Sequence, residues 1–164
     1  MRFGFIGDIV GKIGREGVKR YLPIAREKYG LQCVIANAEN ASHGFGLGIS
    51  AFEELRSYGV DIFTGGNHTW DKKEIIPLLQ DSSCNVLRPH NYPQGVVGSG
   101  LYYGKIDSQE FALLNLMGHF GMPQCDNAFI CAKKVVESLH AEGIYNIIID
   151  FHAEATSEKR AMFM

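Results

Sequence analysis

Four apolar runs in this 164-residue sequence are each followed at once by groups that can hold a cation or move a proton. Asp8 closes the run that begins at Arg2, and Glu39-Asn40 follows Leu31 to Asn37. Asn67-His68 comes after Val60 to Thr64, and His152 after Ile144 to Phe151. Taken singly, such groups are ordinary: an acid after a strand forms turns or caps helices, and a lone histidine is a surface or satisfied core group. Taken together they supply carboxylate, carboxylate plus amide, amide plus imidazole, and imidazole at matching strand ends. In open α/β sheets that carboxyl edge is where ligands bind. A mixed oxygen and nitrogen set suits Mn, Fe or Zn better than Mg or Ca, which prefer all-oxygen shells.

The elements that must position these groups alternate. The first strand is followed by Val18, Tyr21, Leu22, Ala25 and Tyr29 at helical spacing, with Gly30 just past the expected helix end. Pro23 lies inside that pattern, where it removes a hydrogen bond and favours a kink. After the second strand, a polar glycine-rich loop from Ala38 to Gly48 leads to a helix. Its expected capping box is Ser50 with Glu53, and Gly59 closes it. Gly65-Gly66 then leaves the third strand, a helix is opened by Asp71 and Glu74, and Cys84 to Arg88 reads as a short strand. Leu101 to Ile106 and Phe111 to Leu116, joined by Asp107-Ser108-Gln109, predict a hairpin. Ala128 to Glu142 predicts a helix, Ile144 to Phe151 a strand, and the tail from His152 has helical composition. This order predicts a layered α/β fold with mixed strand directions.

Composition narrows the function classes. Lys+Arg 16 against Asp+Glu 18 gives no basic field of the kind that drives non-specific nucleic-acid binding. No apolar run is long enough for a bilayer span and no signal-peptide pattern opens the chain, so a single cytoplasmic domain over residues 1–164, without membrane association, is expected. Cys33, Cys84, Cys125 and Cys131 show no C-x-x-C spacing and read as reduced thiols, with zinc ligation the alternative. Gly7-Asp8-Ile9-Val10-Gly11-Lys12 lacks the four-residue spacer and the following Ser or Thr of a phosphate loop, and no G-x-S-x-G elbow is present.

Five blocks carry a resemblance: Gly7-Asp8-Ile9-Val10-Gly11 with Gly14-Arg15; Ala36-Asn37-Ala38-Glu39-Asn40-Ala41; Gly65-Gly66-Asn67-His68-Thr69-Trp70-Asp71; Arg88-Pro89-His90-Asn91-Tyr92-Pro93; and the run from Asp150 to Lys159. In order along the chain, they resemble the YmdB-type bacterial branch of the calcineurin-like metallophosphoesterases. The resemblance implies an α/β/β/α sandwich with mixed sheets and a dinuclear site of two divalent ions, Fe or Mn with Zn as an alternative. It implies hydrolysis of 2′,3′-cyclic nucleotides, or of related phosphodiesters such as RNA ends, by metal-activated water. By the same carry-over Asp8 and Asn40 would bind one ion, Asn67 and His152 the other, and Glu39 would bridge them. His68 would be the general acid that protonates the leaving ribose oxygen. Val10 stands where broader calcineurin-like enzymes have histidine, a departure this branch shares. His43 is a candidate for substrate contact, with a plain surface histidine as the alternative. Trp70 reads as a base-stacking group or as a core or dimer-surface anchor.

Family chains extend further and carry a Gly-Thr-His-Thr-His-Val block, so this resemblance implies a C-terminally incomplete fold with one histidine missing from each metal shell. The expectation is a phosphodiesterase that forms a homo-oligomer. The alternatives are a catalytically impaired binding or scaffold protein and a phosphomonoesterase of the same superfamily.

Overall fold

The computed structural model describes residues 1–164. The first half builds one sheet: β1 (Phe3–Ile6), α1 (Gly11–Tyr29), β2 (Cys33–Asn37), α2 (Ile49–Ser57), β3 (Ile62–Thr64) and α3 (Ile75–Gln80). The second half builds another: β4 (Leu101–Ile106), β5 (Gln109–Met117), α4 (Ala128–Ala141), β6 (Ile147–His152) and α5 (Thr156–Phe163). The first sheet, β1-β2-β3, is wholly parallel. In the second, β5 pairs antiparallel with β4 and parallel with β6.

The central strands of each sheet are the ones whose sequences are apolar on both faces. Every residue of β2 is buried, as is Phe111–Met117 of β5. Such strands need cover above and below, and the core supplies it in layers. Ile9, Val18, Leu22, Val34, Leu55 and Phe63 pack the three N-terminal helices on one face of the first sheet. Cys33, Ile35, Ile62, Phe111 and Leu113 pack the two sheets against each other. Ala112 and Leu114 turn the other way, to Leu139 and Ala132 of α4. The layer order is therefore α/β/β/α, with one parallel and one mixed sheet, as the family resemblance implies.

Local signals held unevenly. Gly30 ends α1 at φ 60°, and its N–H reaches the Arg26 carbonyl; Gly59 follows α2 at φ 104°. Both are left-handed positions that glycine takes without a Cβ penalty. The hairpin of β4 and β5 turns through Asp107, which also has positive φ. α1 runs through Pro23 without interruption. Three expectations need correction. Ser50 and Glu53 do not cap α2, because the helix starts earlier, at Ile49 with Gly48 as its N-cap. Glu74 instead accepts the Ile49 N–H at 3.1 Å and Ser42 Oγ accepts the Gly48 N–H at 2.9 Å, so distant side chains do the capping that the local pattern suggested. Asp71 does not open α3, which begins after Glu74, because its carboxylate is engaged with His68. Cys84 to Arg88 is not a strand: Ser82–Cys84 forms a 3₁₀ turn, and only Val86 bridges, to Phe63.

Candidate metal and proton-transfer site

Parallel strands end on one side, so β1, β2 and β3 bring Asp8, Glu39-Asn40 and Asn67-His68 to one edge. Strand β6, in the second sheet, ends there too at His152, paired with Met117. Two subgroups form. In the first, Asn40 Nδ2 donates to both Asp8 oxygens, at 3.0 and 2.9 Å. In the second, His152 Nε2 lies 3.0 Å from Glu39 Oε1 and 2.8 Å from Asn67 Oδ1. Glu39 Oε2 accepts the backbone N–H of His68 at 3.0 Å. The packing leaves no slack: a Cβ on Gly66 would come within 2.4 Å of the His152 ring and 2.5 Å of Glu39 Oε2.

Burial at this edge works against charge on its ionisable side chains. Glu39 is 2% exposed, and burial pushes its carboxyl up to about 7, against the His68 N–H that favours the ionised form. Burial likewise lowers the His152 pKa. Each partner of this 3.0 Å contact is thus driven toward its neutral form, because burial disfavours the charged form of both. Asn40 Oδ1 is buried without a hydrogen-bond partner. An orphan amide oxygen beside an exposed carboxylate, and a nitrogen converging with two oxygens around a buried carboxylate, are what a divalent cation would satisfy. The residues fit a metal. No group of three or more His, Cys, Asp or Glu side chains is placed to hold an ion, so a metal here would also need the amides of Asn40 and Asn67.

His68 stands apart from these contacts. Its Nδ1 lies 2.7 Å from Asp71 Oδ2, which fixes the ring, and the ring meets the edge of Phe45 at 5.0 Å. Asp71 was legible only as a helix opener; its spacing of three residues after His68 was the signal for a dyad. His43 is exposed in the same loop as Phe45 and adopts φ 62°. That loop is held by Arg15, which bonds the Ala41 carbonyl and, at 2.8 Å, Glu54. Trp70 packs against the first core and meets Tyr92 edge-on at 5.7 Å, contacts of an anchor within the fold. Gly11, of the phosphate-loop-like run, gives its N–H to the Asn40 carbonyl at 2.9 Å. Sequence reasoning also missed Asn115, which binds Gly65 from the second sheet; the signal was a lone amide in an apolar strand.

Residues 5–164 match the family described as YmdB-like protein. A protein of Bacillus subtilis (strain 168) named 2′,3′-cyclic-nucleotide 2′-phosphodiesterase is 45% identical over 162 residues, covering 99% of this chain and 61% of its own length. Among solved structures, a hypothetical protein from Thermus thermophilus superposes with a TM-score of 0.88 at 37% identity, covering 99% of this chain and 62% of that one. A structure titled as a novel phosphatase, from Mycoplasma pneumoniae, gives 0.87 at 33% identity, covering 98% and 58%. The chain spans about 61% of the length of the curated Bacillus relative.

Proposed function

The chain belongs to the YmdB-like protein family, and from that premise we propose that its strand-edge site serves a metal-dependent phosphodiesterase acting on 2′,3′-cyclic nucleotides or chemically equivalent RNA ends. The observation that carries this reading is the pairing of two chemistries at one edge: a carboxylate–amide–imidazole donor set, and a separate histidine with its own carboxylate 2.7 Å away. The similarity to a relative named for that substrate class supports it.

Asp8 and Asn40 would hold one ion, Asn67 and His152 the other, and Glu39, central and buried, would face both. Bound there, Fe or Mn supplies Lewis-acid activation of water and a clamp on phosphate oxygens. The protein's own contribution begins with Glu39, whose Oε2 fixes the His68 backbone while Oε1 faces His152. Asp71 Oδ2 engages His68 Nδ1 and orients the ring, which leaves Nε2 as the nitrogen that would face the leaving oxygen. An alkoxide leaving group needs a proton, and general-acid donation typically contributes about 10²–10⁴-fold. Phe45 shields one edge of the ring from water.

The test is hydrolysis of 2′,3′-cyclic AMP by the purified chain loaded with Mn²⁺ or Fe²⁺, with p-nitrophenyl phosphate as the monoester control. Cleavage of the cyclic diester, faster than of the monoester and reduced about 10²-fold or more by His68→Ala, is expected. No diester cleavage above the metal-only blank, or an unchanged rate in His68→Ala, would falsify the assignment.

A further inference from the structure

Strand β5 carries Asn115 at a position with no solvent exposure, between Leu114 and Leu116. An amide buried in an apolar strand is unfavourable unless its polar groups are bonded, and a leucine would fill comparable space. The amide of Asn115 is bonded in a particular way. Its Oδ1 accepts the Gly65 N–H at 3.0 Å, and its Nδ2 donates to the Gly65 carbonyl at 3.1 Å. Gly65 lies just beyond β3, whose register with β2 ends at Thr64, so the side chain acts as an extra rung thrown across from the other sheet. Nδ2 also approaches the Asp150 carbonyl at 3.4 Å, two residues before His152.

The turn that Gly65 begins carries Asn67 and His68. It is closed by Thr69 Oγ1 on the Gly66 carbonyl at 2.8 Å and by Glu39 Oε2 on the His68 N–H at 3.0 Å. A Cβ on Gly65 would fall 2.4 Å from Thr69 Oγ1 and crowd the hydroxyl that closes this turn. One amide therefore fixes the turn bearing Asn67 relative to the strand bearing His152, and those two side chains meet at 2.8 Å.

We propose that Asn115 is a positioning residue of the site: it sets the Gly65–Thr69 turn against β6, and through it the spacing of Asn67 from His152 and the aim of His68. Its effects on catalysis and on metal affinity rest on the metal-dependent phosphodiesterase reading; its hold on the turn does not.

The experiment compares the parent chain with Asn115→Leu and Asn115→Ser. Calorimetric titration with Mn²⁺ should show affinity falling roughly 10–100-fold, as for other groups that orient metal ligands. At saturating Mn²⁺, kcat on 2′,3′-cyclic AMP should fall roughly 100-fold with KM little changed, the cost of misplacing a reacting group by about 1 Å. A merely structural role would lower the melting temperature and leave kcat at saturating metal intact. A folded variant whose Mn²⁺ affinity and kcat both match the parent overturns the proposal. Should both variants fail to fold, amide exchange in the parent decides: the Gly65 and His68 N–H groups must be as protected as those of β5, and exchange at the rate of exposed loops overturns it. A parent that binds Mn²⁺ but opens no cyclic nucleotide removes the phosphodiesterase reading and leaves the exchange comparison standing.

Discussion

Glu39 concentrates the residue-scale physics. A carboxyl that is 2% exposed and titrates at about 7 keeps its proton in the folded, metal-free chain at a pH where the unfolded chain has lost it. Between the ordinary carboxylate value and about 7, the folded state therefore binds more protons, and stability falls as pH rises through that window. His152 acts in the opposite sense at its lower end: its depressed pKa makes the unfolded state the better proton acceptor on acidification. The two slopes separate by mutation. The metal-free parent should melt at a lower temperature at pH 8 than at pH 6.5, and Glu39→Gln, which keeps the shape of the neutral acid, should abolish most of that difference. An equal pH dependence in the two proteins would mean that Glu39 is not the group responsible.

At the scale of elements, the site depends on where strands stop and what their exits are tied to. The Arg15 bonds to Ala41 and Glu54 hold the loop after β2 against α1 and α2, and Asn115 holds the turn after β3 against β5. Neither tie is local in sequence. α1 shows the opposite case, a local cost that the fold absorbs. Pro23 has no N–H to give the Lys19 carbonyl, yet the helix continues because Val18 and Leu22 bury its inner face. Pro23 is exposed, so Pro23→Ala removes no core contact. The substitution should stabilise the chain by about 2 kcal/mol, the helix gain less the greater freedom of the unfolded chain. At about 2–4 °C per kcal/mol for a chain of this size, the melting temperature should rise roughly 4–8 °C, as differential scanning calorimetry would read.

For the whole molecule, the site is a junction between the sheets. Asp8, Glu39, Asn40 and Asn67 belong to the exits of the first sheet, whereas His152 ends a strand of the second. A cation gripping both sets would bind the folded state and not the separated sheets, so Mn²⁺ should act as a stabiliser by mass action. At a free concentration 100 times the dissociation constant the gain is about 2.7 kcal/mol. In a chain of this size that is roughly 5–10 °C in melting temperature. EDTA should reverse the shift, and the double variant Asp8→Ala with His152→Ala should lose it while melting near the metal-free parent. A shift of equal size with Mg²⁺ would argue against the mixed nitrogen and oxygen donor set.

The sequence by itself determined the alternation of strands and helices, a layered α/β class and the polar residues at the strand ends, because apolar periodicity and position after a strand are local properties of the chain; the α/β/β/α layer order came from the family resemblance. Glycine at Gly30 and Gly59 marked helix ends for the same reason. Tertiary structure alone decided what caps α2, where Glu74 and Ser42 arrive from other segments, and why residues 84–88 supply a single bridge rather than a strand. It alone showed that Asp71 serves His68 rather than a helix, and that Asn115 reaches across to Gly65. Each of these is a contact whose energy depends on two segments being brought together, and for buried groups such as Glu39 and Asn115 the cost of desolvation exists only once the sheets have closed over them.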